Sequence, residues 1–339
     1  MEALCKRMKS ELQTVYDLSV SDIRLLKKSE NLTLLVTCTD DTRYILRINR
    51  PDYHTPEELN SELLWMEDIR DSTTILIPNV IRNRQGNAIS SYADEKMHTQ
   101  YYSIFSFLEG SVLHDVKGEA LITMMEQVGA LASTLHTQVQ NSKIACKLKR
   151  FSWDYEDLLG ENARFGQWEQ HPALTSSQKK VLDQAVSDIR ERLTSYGKES
   201  SRYGLIHSDL HLSNIMYHNG RLQLIDFDDC GFGWFLYECG CSLLEYNEHL
   251  EELRDAWLRG YQAIRPLTAA DLKETDTFIL LRRIVRIAWM QSHINTDTAA
   301  SIDMEKYIDV TVKMAKNFKN DSYKWVPIIV PPPATYSPS

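Results

Sequence analysis

The sequence is short of the features that would place it in several large classes of protein. Its 38 Lys and Arg residues are outnumbered by 47 Asp and Glu residues, and the net charge is −9. Binding nucleic acid through its phosphates needs a basic surface, so this charge predicts no nucleic-acid partner. No apolar run is long enough to span a membrane, and no apolar segment near Met1 indicates a signal peptide, so no membrane partner is expected.

Cysteine is also scarce and shows no functional spacing. None of the six cysteines forms a Cys-x-x-Cys pair, so the sequence predicts neither a zinc site nor a disulfide framework. Reduced thiols are typical of the cytosol, and we therefore expect a cytoplasmic protein. The 339 residues are too many for one ordinary core and predict two lobes or domains. None of these features indicates an oligomeric state.

Residues 1–107 carry mostly β-strand patterns. An N-terminal helix is predicted from four apolar residues that recur every four positions: Leu4, Met8, Leu12 and Tyr16. Strands are predicted over 32–39, 44–48, 75–80, 88–92 and 101–107. A second helix is predicted to follow Thr55, because Thr55 is a good N-cap, Pro56 suits the first helical position and Glu58 completes a capping box.

The remaining residues have mostly helical patterns. Helices are predicted over 121–139, 178–196, 236–264, 271–294 and 302–318. The last residues include Pro331, Pro332 and Pro333 and are interpreted as a tail. We therefore predict an α+β chain with a smaller, β-rich part over 1–107, a larger, mostly helical part over 108–325 and a tail over 326–339.

One segment carries histidine, carboxylate and amide groups at a spacing that suits phosphoryl transfer. His207, Asp209 and Asn214 follow the pattern His-x-Asp-x-x-x-x-Asn. Asp226 ends the next apolar run, which follows a turn at 218–220. Phosphoryl transfer needs a carboxylate that takes the proton of the acceptor hydroxyl and oxygen ligands that hold magnesium. We therefore predict Asp209 as the catalytic base and Asn214 and Asp226 as the Mg2+ ligands.

These residues resemble the core signature of the aminoglycoside phosphotransferase and choline kinase superfamily, whose members are related to the protein kinases. The resemblance rests on 205–214 and 225–229 and extends, in element order, over nearly the whole chain. The sequence is also similar to a subgroup with Asp-x-Asp-Asp at this place, which includes a bacterial stress-response Ser/Thr kinase. The resemblance implies a two-lobed, protein-kinase-like fold that uses ATP and Mg2+, and it does not identify the acceptor.

Two charged residues of the β-rich part are predicted to pair. Arg47 lies inside an apolar strand, and Glu62 lies near the buried face of the next helix. Because a buried charge is costly unless it is paired, we predict an Arg47–Glu62 ion pair. In a kinase-like fold such a cation also contacts the α- and β-phosphates of ATP, and the helix carboxylate orients it. The alternative is an ion pair that only stabilises the lobe.

The remaining nucleotide contacts are implied by the resemblance. No glycine precedes Gly86, so a glycine-rich phosphate loop is absent, and the polar segment 29–31 takes its place. Ser29 and Asn31 would donate to a phosphate there, and an ordinary polar turn is the alternative. Phe107 and Leu108 lie where the hinge of the superfamily pairs its backbone with adenine, and a simple linker is the alternative.

Other polar residues near these motifs are predicted to be structural. His207 is expected to hold its loop through packing and a backbone hydrogen bond. Asp228 and Asp229 are expected to support the loop or a metal ligand. Three arginines of the helix predicted over 271–294 are expected on a solvated face, with lining of the acceptor pocket as the alternative: Arg282, Arg283 and Arg286.

Three functions are compatible with these observations. The first is a small-molecule kinase that phosphorylates a hydroxyl of an antibiotic, an amino alcohol or an amino acid. The second is a bacterial-type protein Ser/Thr kinase, and the third is a non-catalytic kinase-like binding module. The complete set of Asp209, Asn214 and Asp226 argues against the third. No clear activation segment follows Asp226, because residues 231–233 lead directly into the next predicted helix. A short segment leaves less of a platform for an extended peptide, which favours a small-molecule acceptor.

Overall fold

The computed structural model describes residues 1–28, 30–113, 115–294 and 302–319, which form two compact units. The first unit consists of Met1–Val112, Lys143–Arg150 and Ile215–Asp228. The second consists of Leu113–Ser142, Phe151–Asn214 and the described residues from Asp229 onward. Each unit therefore combines distant parts of the chain, whereas the division predicted after residue 107 is continuous in sequence. The predicted tail over 326–339 lies outside the described residues.

The helices and strands are numbered in chain order. The strands are β1 (Val20–Lys28), β2 (Leu32–Cys38), β3 (Arg43–Ile48), β4 (Val80–Ile81), β5 (Ser90–Ala93), β6 (Thr99–Ser106), β7 (Ser111–Val112), β8 (Ser152–Trp153), β9 (Tyr203–Ile206), β10 (Ile215–His218), β11 (Arg221–Leu224) and β12 (Gly231–Trp234). The helices are α1 (Glu2–Tyr16), α2 (Pro56–Ser72), α3 (Gly118–Asn141), α4 (Tyr155–Leu159), α5 (Ser176–Tyr196), α6 (Tyr237–Ser242), α7 (Leu250–Gln262), α8 (Ala269–Ser292) and α9 (Met304–Lys319).

The first unit is built on an antiparallel sheet with the strand order β1-β2-β3-β6-β4, and β5 also pairs with β6. Alternate residues of β2, such as Leu34 and Val36, are buried, as the period of a strand requires. Met8 and Leu12 of α1 pack into the same core, because residues four apart lie on one helix face. The N-terminal helix predicted from this spacing is confirmed.

A hairpin in the first unit carries the chain between two candidate site residues. Strands β10 and β11 pair antiparallel, with Ile215 opposite Leu224. Asn219 and Gly220 connect them with φ of 48° and 79°, and these left-handed values are the ones that a two-residue Asn-Gly turn requires. The open end of the hairpin therefore leads back to Asn214 on one strand and on to Asp226 from the other.

The second unit is mostly helical and contains the small sheet β8-β12-β9. Helix α6 lies very close to α8 at Gly240, where an added Cβ would lie 2.6 Å from the carbonyl oxygen of Phe278 and 3.0 Å from Cβ of Arg282. Only glycine allows this approach. The close packing fixes where α8 presents Arg282. Among the described helices, none combines the length and apolar character needed to span a membrane.

Several element predictions were wrong in extent. The helix predicted over 236–264 is two helices, α6 and α7, because a polar stretch interrupts it and His249 has a φ of 57°. The strand predicted over 75–80 is reduced to β4, since Pro78 lacks the N–H that a ladder needs. The helix after Thr55 is confirmed, with its capping box to Glu58. All six cysteines lie in the described residues, and none forms a disulfide.

Candidate active site

The first unit contains the predicted ion pair, which the structure confirms. Arg47 of β3 donates from Nη1 and Nη2 to the two carboxylate oxygens of Glu62 in α2, at 2.8 Å each. The Arg47 side chain is 9% exposed and the Glu62 side chain is 0% exposed. Burial alone would lower the pKa of Arg47, but the charges of Glu62 and Asp228 outweigh it and raise that pKa. The guanidinium is therefore a permanent, oriented cation.

Two aspartates follow β11 in the first unit and differ in their surroundings. Asp226 is exposed, and its φ of 64° lies in the left-handed region, which is strained for a residue other than glycine. Asp228 is buried, and its Oδ1 lies 3.5 Å from Nε2 of His54 and 3.9 Å from Nη1 of Arg47. Burial alone would raise the pKa of Asp228, but the neighbouring His54 and the charge of Arg47 lower it. Sequence reasoning missed His54, because a lone histidine in a loop carries no signal.

The structure describes three of the four other residues that are predicted to contact the nucleotide. Asn31 is buried, its Oδ1 accepts a hydrogen bond from the backbone N–H of Arg50 at 3.0 Å, and its side chain also bonds Asp228. Ser29 lies outside the described residues. Phe107 and Leu108 follow β6 and are half-buried, with the Phe107 ring 4.1 Å from the guanidinium carbon of Arg43. Their contacts with a nucleotide stay predictions.

The second unit brings Asp209 and Asn214 into direct contact. The amide nitrogen of Asn214 donates to Oδ2 of Asp209 at 2.8 Å and to its backbone oxygen at 3.0 Å. Nε2 of His211 lies 3.1 Å from the same Oδ2. The Asp209 side chain remains 25% exposed. Asp209 is therefore held in one orientation and stays accessible to a small molecule.

Arg282 of α8 places a cation beside Asp209. Its Nη2 lies 3.4 Å from Oδ1 of Asp209. Burial alone would raise the pKa of Asp209, but the charges of His211 and Arg282 and the hydrogen bond from His211 lower it below its usual range. The carboxylate is therefore ionised at neutral pH, as a proton acceptor must be.

The prediction that the three arginines of α8 face solvent is wrong. Arg283 and Arg286 are buried, where Arg283 donates to Oδ1 of Asn247 at 2.8 Å and Arg286 donates to Oε1 of Glu245 at 2.7 Å. Charge alone suggested a solvated face, but this helix is enclosed on most sides and its arginines are paired inside the unit.

Helix α6 holds the loop that carries Asp209 through hydrogen bonds. Oε1 of Glu238 accepts the backbone N–H groups of His207 at 2.5 Å and Ser208 at 3.0 Å, and Sγ of Cys241 donates to the Ser208 carbonyl at 2.8 Å. Ser208 has a φ of 63°, so these bonds maintain a strained backbone next to Asp209. Burial raises the pKa of Glu238 to about 7, although the two N–H groups oppose that rise. His207 is fully buried, in agreement with its predicted packing role.

The predicted metal ligands fit a divalent cation chemically. Magnesium prefers oxygen ligands and keeps several water or phosphate oxygens. Because the amide nitrogen of Asn214 is bonded to Asp209, its amide oxygen is the atom left to bind a cation. Asp226 offers a carboxylate on the exposed side of its segment.

Comparison with known proteins identifies the family. The model of the phosphotransferase enzyme family matches residues 22–272. A solved microcompartment-associated aminopropanol kinase is 31% identical, with a TM-score of 0.83, covering 93% of this chain and 98% of that one. Amicoumacin kinase of Bacillus subtilis (strain 168) is 22% identical over 94% of this chain and 92% of its own length.

A second solved structure agrees in fold. An amicoumacin kinase in complex with AMP-PNP, Ca2+ and Ami is 19% identical, with a TM-score of 0.73, covering 94% of this chain and 93% of that one. The α+β, protein-kinase-like fold and the resemblance to the aminoglycoside phosphotransferase and choline kinase superfamily are confirmed. The protein is an enzyme that transfers a phosphoryl group to a hydroxyl of a small molecule. The chain belongs to the phosphotransferase enzyme family.

Proposed function

We propose that this enzyme transfers the γ-phosphoryl group of ATP to the hydroxyl group of a short amino alcohol, with Mg2+ as the metal ion. The acceptor class is supported by the 31% identity to an aminopropanol kinase over nearly the full length of both chains. The net charge of −9 also suits a cationic acceptor.

The observation that carries the chemistry is the environment of Asp209. We assign Asp209 as the base that accepts the proton of the acceptor hydroxyl while its oxygen attacks the γ-phosphorus. The new O–P bond forms, the bond to the β,γ-bridging oxygen breaks, and ADP leaves. Asn214 and His211 orient the carboxylate through contacts of 2.8 and 3.1 Å to Oδ2, and Arg282 favours its ionised form. Positioning of this kind is the main source of rate in phosphoryl transfer.

We assign the nucleotide side of the reaction to the first unit. Arg47, oriented by its two hydrogen bonds to Glu62, contacts the α- and β-phosphates. Ser29 and Asn31 are assigned to the phosphate loop, and Phe107 and Leu108 to the adenine hinge. Asn214 and Asp226 would hold Mg2+, which would supply positive charge that neutralises the phosphate oxygens.

The acceptor class is tested by ADP release in the presence of Mg2+ and ATP. Aminopropanol is compared with propanediol, which lacks the amine, and with homoserine, amicoumacin and a protein pool. We expect acceptor-dependent ADP release with aminopropanol, little with propanediol, and none in excess EDTA. Release with the protein pool alone, or equal use of the diol, would contradict the proposal.

Two variants control that experiment. Asp209→Asn keeps the shape of the side chain and removes the base, so acceptor-dependent ADP release is expected to disappear. Asp183→Asn makes the same change at an exposed aspartate of α5 and is expected to match the wild type. Loss of activity in both variants would point to a general effect on the protein. The cytoplasmic location remains a proposal based on the cysteine pattern.

A further inference from the structure

A buried histidine–aspartate contact lies beside the Arg47–Glu62 pair, within the first unit. His54 belongs to the loop 49–55, between β3 and α2, and its side chain is only 2% exposed. Its Nε2 lies 3.5 Å from Oδ1 of Asp228. Histidine is of intermediate burial on average, and a side chain that is almost fully buried next to a carboxylate is therefore a candidate for a specific role.

Asp228 depends on this contact for its charge balance. Arg47 already donates both terminal nitrogens to Glu62 at 2.8 Å, and it approaches Asp228 only to 3.9 Å. One buried cation therefore faces two buried carboxylates, and the second carboxylate needs further donors. The polar groups beside it are Nε2 of His54, which lies 3.5 Å from Oδ1 of Asp228, and the Asn31 side chain. Without His54, Asp228 would compete with Glu62 for the same guanidinium.

The same loop also contacts the segment that precedes β2. The backbone N–H of Arg50 donates to Oδ1 of Asn31 at 3.0 Å, and its guanidinium pairs with Glu30 at 3.0 Å. The guanidinium carbon of Arg50 also lies 3.1 Å from the centre of the Tyr53 ring, within the loop. The loop 49–55 therefore connects Asp228, through His54, to the segment assigned to the phosphates.

A third attachment ties the backbone of Asp228 to the helix that carries Glu62. The guanidinium of Arg150 donates to the carbonyl oxygen of Asp228 and, at 3.1 Å, to that of Glu58 in α2. The backbone of Asp228 is thus attached, through Arg150, to the helix whose Glu62 orients Arg47.

We infer that His54 and Asp228 are positioning residues of the nucleotide subsite, whose contact holds Arg47 and the loop 49–55 in the arrangement that binds the phosphates of ATP. This inference rests on the proposed use of ATP. It predicts a defect in nucleotide binding that leaves acceptor binding unchanged, because the acceptor proton is taken by Asp209 in the second unit.

The test is a double-mutant cycle with His54→Phe, Asp228→Asn and the double variant. We expect each single variant to raise the Kd for AMP-PNP with Mg2+ and the KM for ATP about tenfold, a usual scale for coupled buried neighbours. The KM for the acceptor should change less than about twofold. Because the two residues act through one contact, the double variant should be no worse than the weaker-binding single variant.

Two matched variants separate positioning from simple loss of stability. His98→Phe makes the same change at a histidine that lies 3.6 Å from Asp94 but is 70% exposed, and it should leave nucleotide binding unchanged. His54→Gln restores an N–H donor and should recover most of the affinity. If Asp228→Asn does not fold, the His54→Phe, His54→Gln and His98→Phe set still decides the question.

Several results would overturn the inference. An unchanged Kd for AMP-PNP in His54→Phe would do so, and so would fully additive effects in the double variant or equal rises in both KM values. The proposed function fails in a different way, through absence of ATP-dependent turnover in the wild type. AMP-PNP binding measured directly still tests the His54–Asp228 contact in that case.

Discussion

Each of the two units contains an arginine–carboxylate contact, and the two contacts differ in geometry and in exposure. Arg47 and Glu62 share two hydrogen bonds of 2.8 Å and are almost completely excluded from solvent. Arg282 approaches Asp209 through a single contact of 3.4 Å, and a quarter of the Asp209 side chain remains exposed. The first pair uses both carboxylate oxygens, whereas the second leaves the carboxylate accessible.

This difference matches the work assigned to each carboxylate. Glu62 has to orient a cation, and a bidentate contact does so with the least freedom. The role proposed for Asp209 requires exchange of a proton with a substrate, so its partners have to favour the ionised form without covering it. We therefore expect changes at Glu62 to appear first in stability and changes at Asp209 to appear first in turnover.

The largest expected effect comes from removing the accessible carboxylate. Asp209→Ala should lower turnover ~10²–10⁴-fold, the usual scale for a positioned general base. Its urea midpoint should remain close to that of the wild type, because Asp209 is partly exposed. Turnover is measured by ADP release at saturating ATP and acceptor. Near-normal turnover would remove the base assignment.

Breaking the buried Arg47–Glu62 ion pair should mainly destabilise the protein. Glu62→Ala leaves a buried guanidinium without its main partner, which typically costs about 3–5 kcal/mol. Glu57→Ala is the matched control on the same helix, since Glu57 pairs with Lys149 at 2.9 Å on the surface, and it should cost less than about 1 kcal/mol. Urea unfolding followed by circular dichroism compares them. Equal shifts of the urea midpoint in the two variants would mean that burial of the Arg47–Glu62 pair adds nothing to the stability of the protein.

Glu238, which bonds the loop that carries Asp209, should make the free energy of unfolding depend on pH. The pKa of Glu238 is raised from 4.5 to about 7 in the folded protein, so its protonated form is favoured by folding. That contribution is complete below pH 4.5 and is lost as the pH rises through about 7.

Glu238→Gln removes this titration and keeps the oxygen that accepts both N–H groups. From pH 5 to pH 8, the free energy of unfolding of the wild type should fall by about 3 kcal/mol relative to that of the variant. Parallel pH profiles of the two proteins would show that Glu238 does not titrate in this range.

The smallest expected effect is on turnover and comes from replacing Arg282, which approaches Asp209 only to 3.4 Å. Arg282→Met removes the 3.4 Å contact that helps to orient the Asp209 carboxylate and should lower kcat about tenfold, equivalent to about 1.4 kcal/mol. Lys273→Met makes a similar change at an exposed position of α8 and should leave kcat unchanged. A loss in Arg282→Met as large as that in Asp209→Ala would show that the two side chains act as one unit.

The Arg47–Glu62 pair illustrates what local patterns reveal. Arg47 lies in an apolar strand and Glu62 beside the buried face of a capped helix. The sequence therefore indicates that both side chains are buried and that each needs a partner. His54, Glu238 and Arg282 gave no such signal. Each lies in an ordinary loop or helix and becomes relevant only through a contact with residues at least 30 positions away or in another element.

The sequence by itself determined the α+β organisation and the fold family, and it supplied the residues proposed to carry the reaction, because these depend on periodicity, capping and motif spacing. Only the tertiary structure decided how the carboxylates differ. Burial and neighbouring charges set the ionisation of Asp209, Asp228 and Glu238, and those neighbours come from packing between distant elements. The position of Arg282 is one example, because it is set by the close approach of α6 and α8 at Gly240.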